Sequence, residues 1–243
     1  ADVGLLRDTL PSIAGHLLTA SVLSAPAALL VSKLLYPETE NSETRDRLPS
    51  ADVAIDSNVL EAVSRGISEG VQLAINVAAM LIGFIALVAM VNALLGHVGG
   101  WIGFSSWGAD MVPAVLVKAG TAPALSLELI LGWIFAPLAW IMGVPWAEAV
   151  TAGAFLGEKI ALNEFVAYLH LSQVASQLSE RTLVILSYAL CGFANFASIG
   201  IQIGGIGSLE PSRRSDLASL GLYCVIGGSL STFMVAAIAG VLV

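Results

Sequence analysis

Long apolar stretches alternate with short polar ones along most of this chain. A membrane-spanning helix needs about 20 mostly apolar residues. Stretches of this kind predict spans at positions 10–35, 77–95, 125–144, 182–206 and 217–243. The pattern therefore predicts an all-α membrane protein built as a polytopic helical bundle.

The first predicted span contains a proline, Pro26, which follows the hydroxyl residues Thr19, Ser21 and Ser24. Proline lacks a backbone donor and clashes with the preceding helical turn. In lipid, the carbonyls that it releases must find partners inside the protein or beside a water-filled cavity. We therefore predict a discontinuous helix, kinked or locally unwound at 21–26.

The segment 37–75 differs from its neighbours in composition. Its first part is densely charged and contains two prolines, so it is expected outside the bilayer. Between 58 and 72 an apolar residue recurs at helical spacing, which predicts an amphipathic helix at the membrane interface. The adjacent Arg213 and Arg214, in a short loop, point to the cytoplasmic side. The topology that follows makes 37–75 an outer acidic loop with an interfacial helix.

The stretch 147–171 consists of two apolar pieces separated by Gly157, Glu158 and Lys159. Each piece is too short to cross a bilayer. Short apolar pieces that flank a polar break are typical of the broken helices at the substrate sites of secondary transporters. We predict a re-entrant hairpin here; the alternative is one spanning helix that contains a charged pair.

Composition supports a membrane protein. Of the 243 residues, 57% are hydrophobic and 12% are charged, and the mean hydropathy is +0.87. Soluble domains contain about 25% charged residues. The net charge of −8 argues against a nucleic-acid partner, because phosphates demand a basic face. The two cysteines, Cys191 and Cys224, lie in apolar runs and imply no disulfide framework.

Several motifs of common enzyme classes are absent from the sequence: a phosphate-binding glycine loop, an HExxH pair and a closely spaced cysteine pair. We therefore predict that the protein is not an enzyme and needs no cofactor. Since no nucleotide-hydrolysis motif occurs in this sequence, any active transport is expected to use an ion gradient.

Three polar residues in apolar surroundings are candidates for a binding site. Buried polar groups are costly in a bilayer and mark functional sites there. Glu164 follows the break of the predicted hairpin, while Asn195 and Ser198 are three residues apart and share a helix face. A carboxylate accepts hydrogen bonds from a vicinal diol, and an amide both donates and accepts. Such a pocket suits a neutral, hydroxyl-rich solute.

Structural roles for the same residues remain open at this level. Glu164 pairs with Lys159 or caps a half-helix in one alternative, and Asn195 and Ser198 join neighbouring helices in another. His170 is a further candidate, as a member of a proton relay.

Two long motifs carry a family resemblance: GEKIALNEFVAY at 157–168 and CGFANFASIGIQIGGIGSLEPSRRSDLASLG at 191–221. HLLTASVLSAPAALLVSKLLYPE at 16–38 and LILGWIFAPLAWIMGVPW at 129–146 support them. Together these stretches resemble the concentrative nucleoside transporter family, in the family's order, over more than a third of the chain.

The resemblance implies sodium- or proton-coupled symport of nucleosides by an elevator-like movement. It further implies a homotrimer in the cell membrane, the inner membrane in bacteria. The family's ribose-binding glutamate corresponds to Glu164, and its asparagine and serine correspond to Asn195 and Ser198. Phe193 lines the same pocket in this interpretation.

The resemblance also implies a coupling-ion site, for Na+ if the ion is sodium, to which Ser21 and Val22 contribute oxygen atoms. The family's first hairpin, which binds the nucleobase and completes the ion site, has no counterpart in this sequence. We therefore expect residues 1–243 to form a single transport-core fragment, the second half of the core, that does not transport alone. Base preference and the identity of the ion are not predicted.

Two alternatives from other classes compete with a symporter. One is a non-transporting, gate-like nucleoside-recognition module in the membrane. The other is a membrane-embedded enzyme that uses Glu158 or Glu164 as an acid-base group, for which the sequence offers no second catalytic partner. The intact motifs around Glu164 and Asn195 favour the symporter.

Overall fold

The computed structural model describes residues 13–39, 58–113, 117, 122–209 and 211–243. Within these ranges it contains helices and no strand. The helices are α1 (Ile13–Leu35), α2 (Val59–Trp101), α3 (Phe104–Trp107), α4 (Leu127–Ile141), α5 (Trp146–Ala161), α6 (Glu164–Val174), α7 (Glu180–Ala189), α8 (Phe196–Leu209) and α9 (Arg214–Leu242). The all-α prediction is confirmed.

Two of these helices, α1 and α9, are long and apolar enough to cross a membrane. They correspond to the spans predicted at 10–35 and 217–243. Helices α4 and α5 together satisfy the same criterion, but the chain bends by 119° between them. The described residues thus supply two spans, or three if the bent pair counts as one.

Helix α1 is continuous, which corrects the prediction of an unwound segment at 21–26. It runs without a break through Pro26. The hydroxyls of Ser21 and Ser24 donate to the carbonyls of Leu17 and Ala20, one turn earlier. Proline removes only its own donor from the helix, so the other hydrogen bonds can continue the helix on both sides of it.

Helix α2 joins two elements that the sequence pattern separates. The predicted interfacial helix at 58–72 and the span at 77–95 lie on one helix of 43 residues. Asn58 caps its start by accepting a hydrogen bond from the backbone N–H of Glu61, at 2.9 Å. The charged stretch 40–57 lies outside the described residues, so the predicted outer loop stays a prediction.

The hairpin predicted at 147–171 consists of α5 and α6, but its break is displaced. Gly157, Glu158 and Lys159 belong to the last turns of α5 and are buried. The chain leaves the helix at Leu162, and the Asn163 side chain caps α6. The polar residues at 157–159 do not interrupt the helix because Glu158 and Lys159 both have partners inside the protein.

Helices α4 and α5 pack with their backbones almost in contact. A Cβ atom at Gly153 would lie 2.4 Å from the Gly132 carbonyl oxygen and 2.8 Å from the backbone nitrogen of Ala136. Only glycine fits such an approach. The predicted span at 125–144 is therefore the short helix α4, attached along its length to the inbound arm of the hairpin.

Helix α7 forms the centre of the core. Every residue from 182 to 190 is buried, as expected of a helix that is covered on all sides. At its start, Arg181 donates to the carbonyls of Gly143 and Gly240, both at 2.7 Å, and to that of Val243. This side chain joins α7 to the α4–α5 turn and to the end of α9.

The span predicted at 182–206 is interrupted at 190–195, between α7 and α8. We call this non-helical segment the α7–α8 break. The discontinuous helix of the prediction therefore exists, but at this position and not in α1. Hydropathy does not reveal the break, because the segment CGFAN is itself mostly small or apolar.

Candidate functional site

Two half-helices begin side by side at the candidate site. Glu164 is the first residue of α6, and Phe196 is the first residue of α8. The Asn163 side chain accepts a hydrogen bond from the backbone N–H of Val166, at 3.0 Å, and so caps α6. Both helix starts present N–H donors and the positive end of the helix dipole.

Asn195 caps the second half-helix. Its Oδ1 accepts from the backbone N–H of Ser198 at 2.8 Å and from the Ser198 hydroxyl at 2.9 Å. Both side chains are buried. The spacing of three residues, which the sequence analysis assigned to a shared helix face, therefore also forms an N-terminal cap.

The other end of the Asn195 amide reaches the hairpin. Its Nδ2 donates to Glu164 Oε2 at 3.3 Å, across 31 residues of sequence. The structure thus brings Glu164, Asn195 and Ser198 together. An ionised carboxylate has about four acceptor positions, so the Glu164 carboxylate has the capacity to accept from further donors.

Lys159 does not neutralise Glu164 directly. In the described part of the chain, no ion pair joins the two side chains. The Lys159 ammonium is fully buried and donates to the Ala189 carbonyl at 2.8 Å and to Thr232 Oγ1 at 2.9 Å. Sequence reasoning missed this role, although the cost of a buried cation in a membrane is the signal that marks it.

Phe193 lies in the α7–α8 break, with 77% of its surface exposed. Together with Ser198, it lines an open crevice between α8 and α9. Gln202 and Cys224 line the same crevice. An aromatic face and a buried hydroxyl thus lie beside the Asn195–Glu164 contact.

Ser21 and Val22 lie on α1, beside the other side of the break. The Ser21 hydroxyl is 3.8 Å from Cys191 Sγ, and the Cys191 thiol is 3.7 Å from the Leu17 carbonyl oxygen. Because Pro26 has no N–H, the carbonyl of Val22, four residues earlier, loses its helical partner. A hydroxyl and a released carbonyl are oxygen ligands of the kind that hard cations prefer.

Glu158 pairs with His170 across the hairpin. The distance from His170 Nδ1 to Glu158 Oε1 is 2.6 Å, and the Glu158 side chain is almost fully buried while His170 is half exposed. His170 therefore contacts Glu158, not Glu164. This pair joins the end of α5 to α6 and gives each of the two polar side chains a partner.

A model of the Na+ dependent nucleoside transporter C-terminus matches residues 16–240 of the chain. Among curated proteins, the chain is 43% identical to the uncharacterized transporter YutK of Bacillus subtilis, over 94% of this chain and 52% of that protein. It is 40% identical to the nucleoside permease NupC of Helicobacter pylori, over 94% of this chain and 51% of the permease.

The fold is similar to that of CNTnw in an inward-facing, substrate-bound state. The TM-score is 0.72 and the identity is 43%, over 93% of this chain and 49% of the solved one. The chain thus spans about half the length of the relatives that it matches.

Proposed function

The chain belongs to the Na+ dependent nucleoside transporter family, and from this membership we propose that it forms the C-terminal half of the transport core of an ion-coupled nucleoside symporter. The resemblance to concentrative nucleoside transporters, inferred from the motifs, is thereby confirmed. The chain is part of a multi-pass membrane protein. We call the complete transporter that contains it the full-length parent.

One contact supports this function above all: the hydrogen bond from Asn195 Nδ2 to Glu164 Oε2. It joins two helix starts that are far apart in sequence and leaves a carboxylate at their junction. Such a carboxylate suits a neutral solute with two adjacent hydroxyls, such as the ribose of a nucleoside, because one carboxylate accepts hydrogen bonds from two hydroxyls.

In the proposed mechanism, Glu164 accepts hydrogen bonds from the ribose hydroxyls. Asn195 and Ser198 fix the orientation of the sugar, and Phe193 offers an aromatic face beside it. The crevice encloses only about 10 Å³, far less than the roughly 300–1,000 Å³ of ordinary ligand pockets. We propose that the remaining walls, including those that contact the base, come from the rest of the full-length parent.

The coupling ion, Na+ or a proton, is proposed to act beside α1. If the ion is Na+, the Ser21 hydroxyl and the Val22 carbonyl supply two of its oxygen ligands. Ser21 lies next to Cys191 and therefore next to the break that carries Asn195, and Val22 follows Ser21 on α1. An ion held there is placed to stabilise the break when substrate is bound, which couples the two binding events.

Alternating access is proposed to occur by an elevator-like movement of the core, in a homotrimer. The parent is placed in the cell membrane, and in the inner membrane if the source is bacterial.

Radiolabelled uridine uptake into proteoliposomes tests the proposal. The full-length parent is compared with Glu164→Gln under a sodium gradient, a proton gradient and no gradient. Loss of a hydrogen-bonding partner that carries charge costs about 1.5–3 kcal/mol, or roughly ten- to a hundredfold in affinity. We expect gradient-dependent uptake by the wild type and this loss in Glu164→Gln.

Glu69→Gln is the matched control, since Glu69 is exposed and, within the described ranges, its carboxylate pairs with Arg65 on its own helix. It should transport like the wild type. Absence of gradient-dependent uptake from folded wild-type protein would favour the gate-like nucleoside-recognition module instead.

A further inference from the structure

The ammonium of Lys159 lies at the centre of the molecule, five residues before Glu164 on the same hairpin. Its side chain is fully buried. It contacts α7 through the Ala189 carbonyl and α9 through Thr232 Oγ1, and it lies 5.6 Å from the centroid of the Phe233 ring. One cation of the hairpin therefore binds α7, which leads into the α7–α8 break, and α9, which packs against the break.

The contact with Ala189 caps a helix. Ala189 is the last residue of α7, and the last four carbonyls of a helix have no partner within it. In the apolar interior of a membrane protein, water does not supply the missing donors. The Lys159 ammonium supplies one, and its charge also complements the negative end of the helix dipole.

The contact with Thr232 fixes the break from its other side. A Cβ atom at Gly192 would lie 2.7 Å from Thr232 Cγ2 and 3.9 Å from Lys159 Nζ. The backbone of the break therefore passes directly over the Lys159–Thr232 contact, three residues before Asn195. Loss of this contact would leave the buried Thr232 hydroxyl with its bond to the Ser229 carbonyl of its own helix and would disconnect α9 from the hairpin under the segment that carries the amide.

Lys159 also acts on Glu164 through space. The two groups attract each other electrostatically without forming an ion pair. Because the ammonium is held by Ala189 and Thr232, the carboxylate keeps its acceptor positions for a ligand while a positive charge remains nearby. The hairpin thus carries both the Glu164 carboxylate of the site and the Lys159 ammonium, which holds the α7–α8 break beside that carboxylate.

We propose that Lys159 is a positioning residue for substrate binding: it caps α7 and holds the α7–α8 break so that Asn195 stays within hydrogen-bonding distance of Glu164. This inference rests on the proposed nucleoside site. It assigns Lys159 an effect on substrate discrimination in addition to any effect on folding.

The test uses the full-length parent with Lys159→Met and Thr232→Val. The measured quantities are the KM for uridine uptake and the preference for uridine over 2′,3′-dideoxyuridine, which lacks the ribose diol. Loss of the charged donor should raise the KM about tenfold, and loss of the neutral acceptor about threefold. In both variants we expect the preference for uridine to fall, because the displaced amide no longer orients the diol.

Ser187→Ala is the matched control, because this buried hydroxyl donates to the Leu183 carbonyl of its own helix in the part of the chain that the structure describes. It should leave the KM and the preference unchanged. If the wild type itself shows no preference for uridine, the proposed nucleoside site fails, whatever the variants do.

If the wild type prefers uridine and both variants keep its KM and preference, the role of Lys159 is overturned. A lower maximal rate with unchanged KM and preference also overturns it, since that result assigns the residue to the scaffold alone. Where Lys159→Met does not yield folded protein, Thr232→Val decides by the same two readouts.

Discussion

At the scale of single residues, the Asn195 side chain holds the candidate site together. Its oxygen accepts two hydrogen bonds from Ser198, and its nitrogen donates one to Glu164. The sequence predicted this trio from the cost of burial and from the spacing of three. It did not predict that the amide connects the other two, because that depends on where the chain leaves the helix.

We predict that Asn195→Ala impairs uridine uptake more than Ser198→Ala. The first change removes all three bonds, one of them to a carboxylate, and should raise the KM roughly ten- to a hundredfold. The second removes one hydroxyl and should raise it about threefold. Uptake kinetics of the full-length parent give both values.

Ser172→Ala serves as the control for loss of a hydroxyl, since Ser172 is exposed and donates to the Leu169 carbonyl of its own helix. It should behave like the wild type. Equal losses in Ser198→Ala and Asn195→Ala would contradict the central position of the amide.

At the scale of elements, the sequence predicted which segments are helical better than where they break. The pattern located α1, α9 and the hairpin. It placed the hairpin break at the polar residues 157–159, whereas the break lies at Leu162, because Glu158 and Lys159 have buried partners in the helix. A hydropathy profile registers charged residues but contains no information on whether they have partners in the folded protein.

The opposite error concerns Pro26 and the α7–α8 break. Proline is a strong signal, yet α1 continues through it, while α7 ends within an apolar run that contains no proline. The end of α7 is stabilised by Lys159, 30 residues earlier in the chain. A local pattern cannot show a cap that arises from tertiary contact.

We predict that Pro26→Ala weakens activation of uptake by sodium if the coupling ion is Na+. The new N–H at position 26 would donate to the Val22 carbonyl and compete with the ion for it. A neutral hydrogen bond contributes about 0.5–1.5 kcal/mol, so the half-activating sodium concentration should rise roughly three- to tenfold. Uptake at graded sodium concentrations measures this shift.

Pro137→Ala is a matched control, because Pro137 also lies inside a helix, α4, away from the proposed ion site. Its sodium dependence should equal that of the wild type. The same sodium dependence in both variants would remove Val22 from the set of proposed ligands.

At the scale of the whole molecule, α2 is the longest helix of the described part of the chain, and its Asn92 joins it to the start of α4. Its 43 residues span roughly 65 Å at 1.5 Å per residue, about twice the hydrocarbon thickness of a bilayer, which is about 30 Å. Apolar side chains along it are exposed, among them Ile82, Leu87, Met90 and Leu94. We propose that this helix contributes to the contacts between protomers in the proposed homotrimer.

We predict that native mass spectrometry of the full-length parent in detergent finds three protomers, and that Leu94→Lys shifts the population towards monomers. A lysine in place of an apolar side chain at a helix contact would be buried without a partner, which is costly inside a membrane protein. Ile134→Lys places the same charge at a similarly exposed position of α4 and should leave the trimer intact. An identical trimer fraction in both variants would exclude α2 from the interface.

The hydrogen bond between Asn195 and Glu164 has a consequence for the step in which a transporter returns across the membrane without bound substrate. A transporter that alternates between two sides of a membrane must reset without cargo, and bare polar groups would make that step costly. Here the amide donates to the carboxylate within the protein itself, so neither group depends on a solute for that bond. In a transporter that works as proposed, a solute that takes over either partner would exchange one hydrogen bond for another, so capture and release would be nearly balanced in free energy.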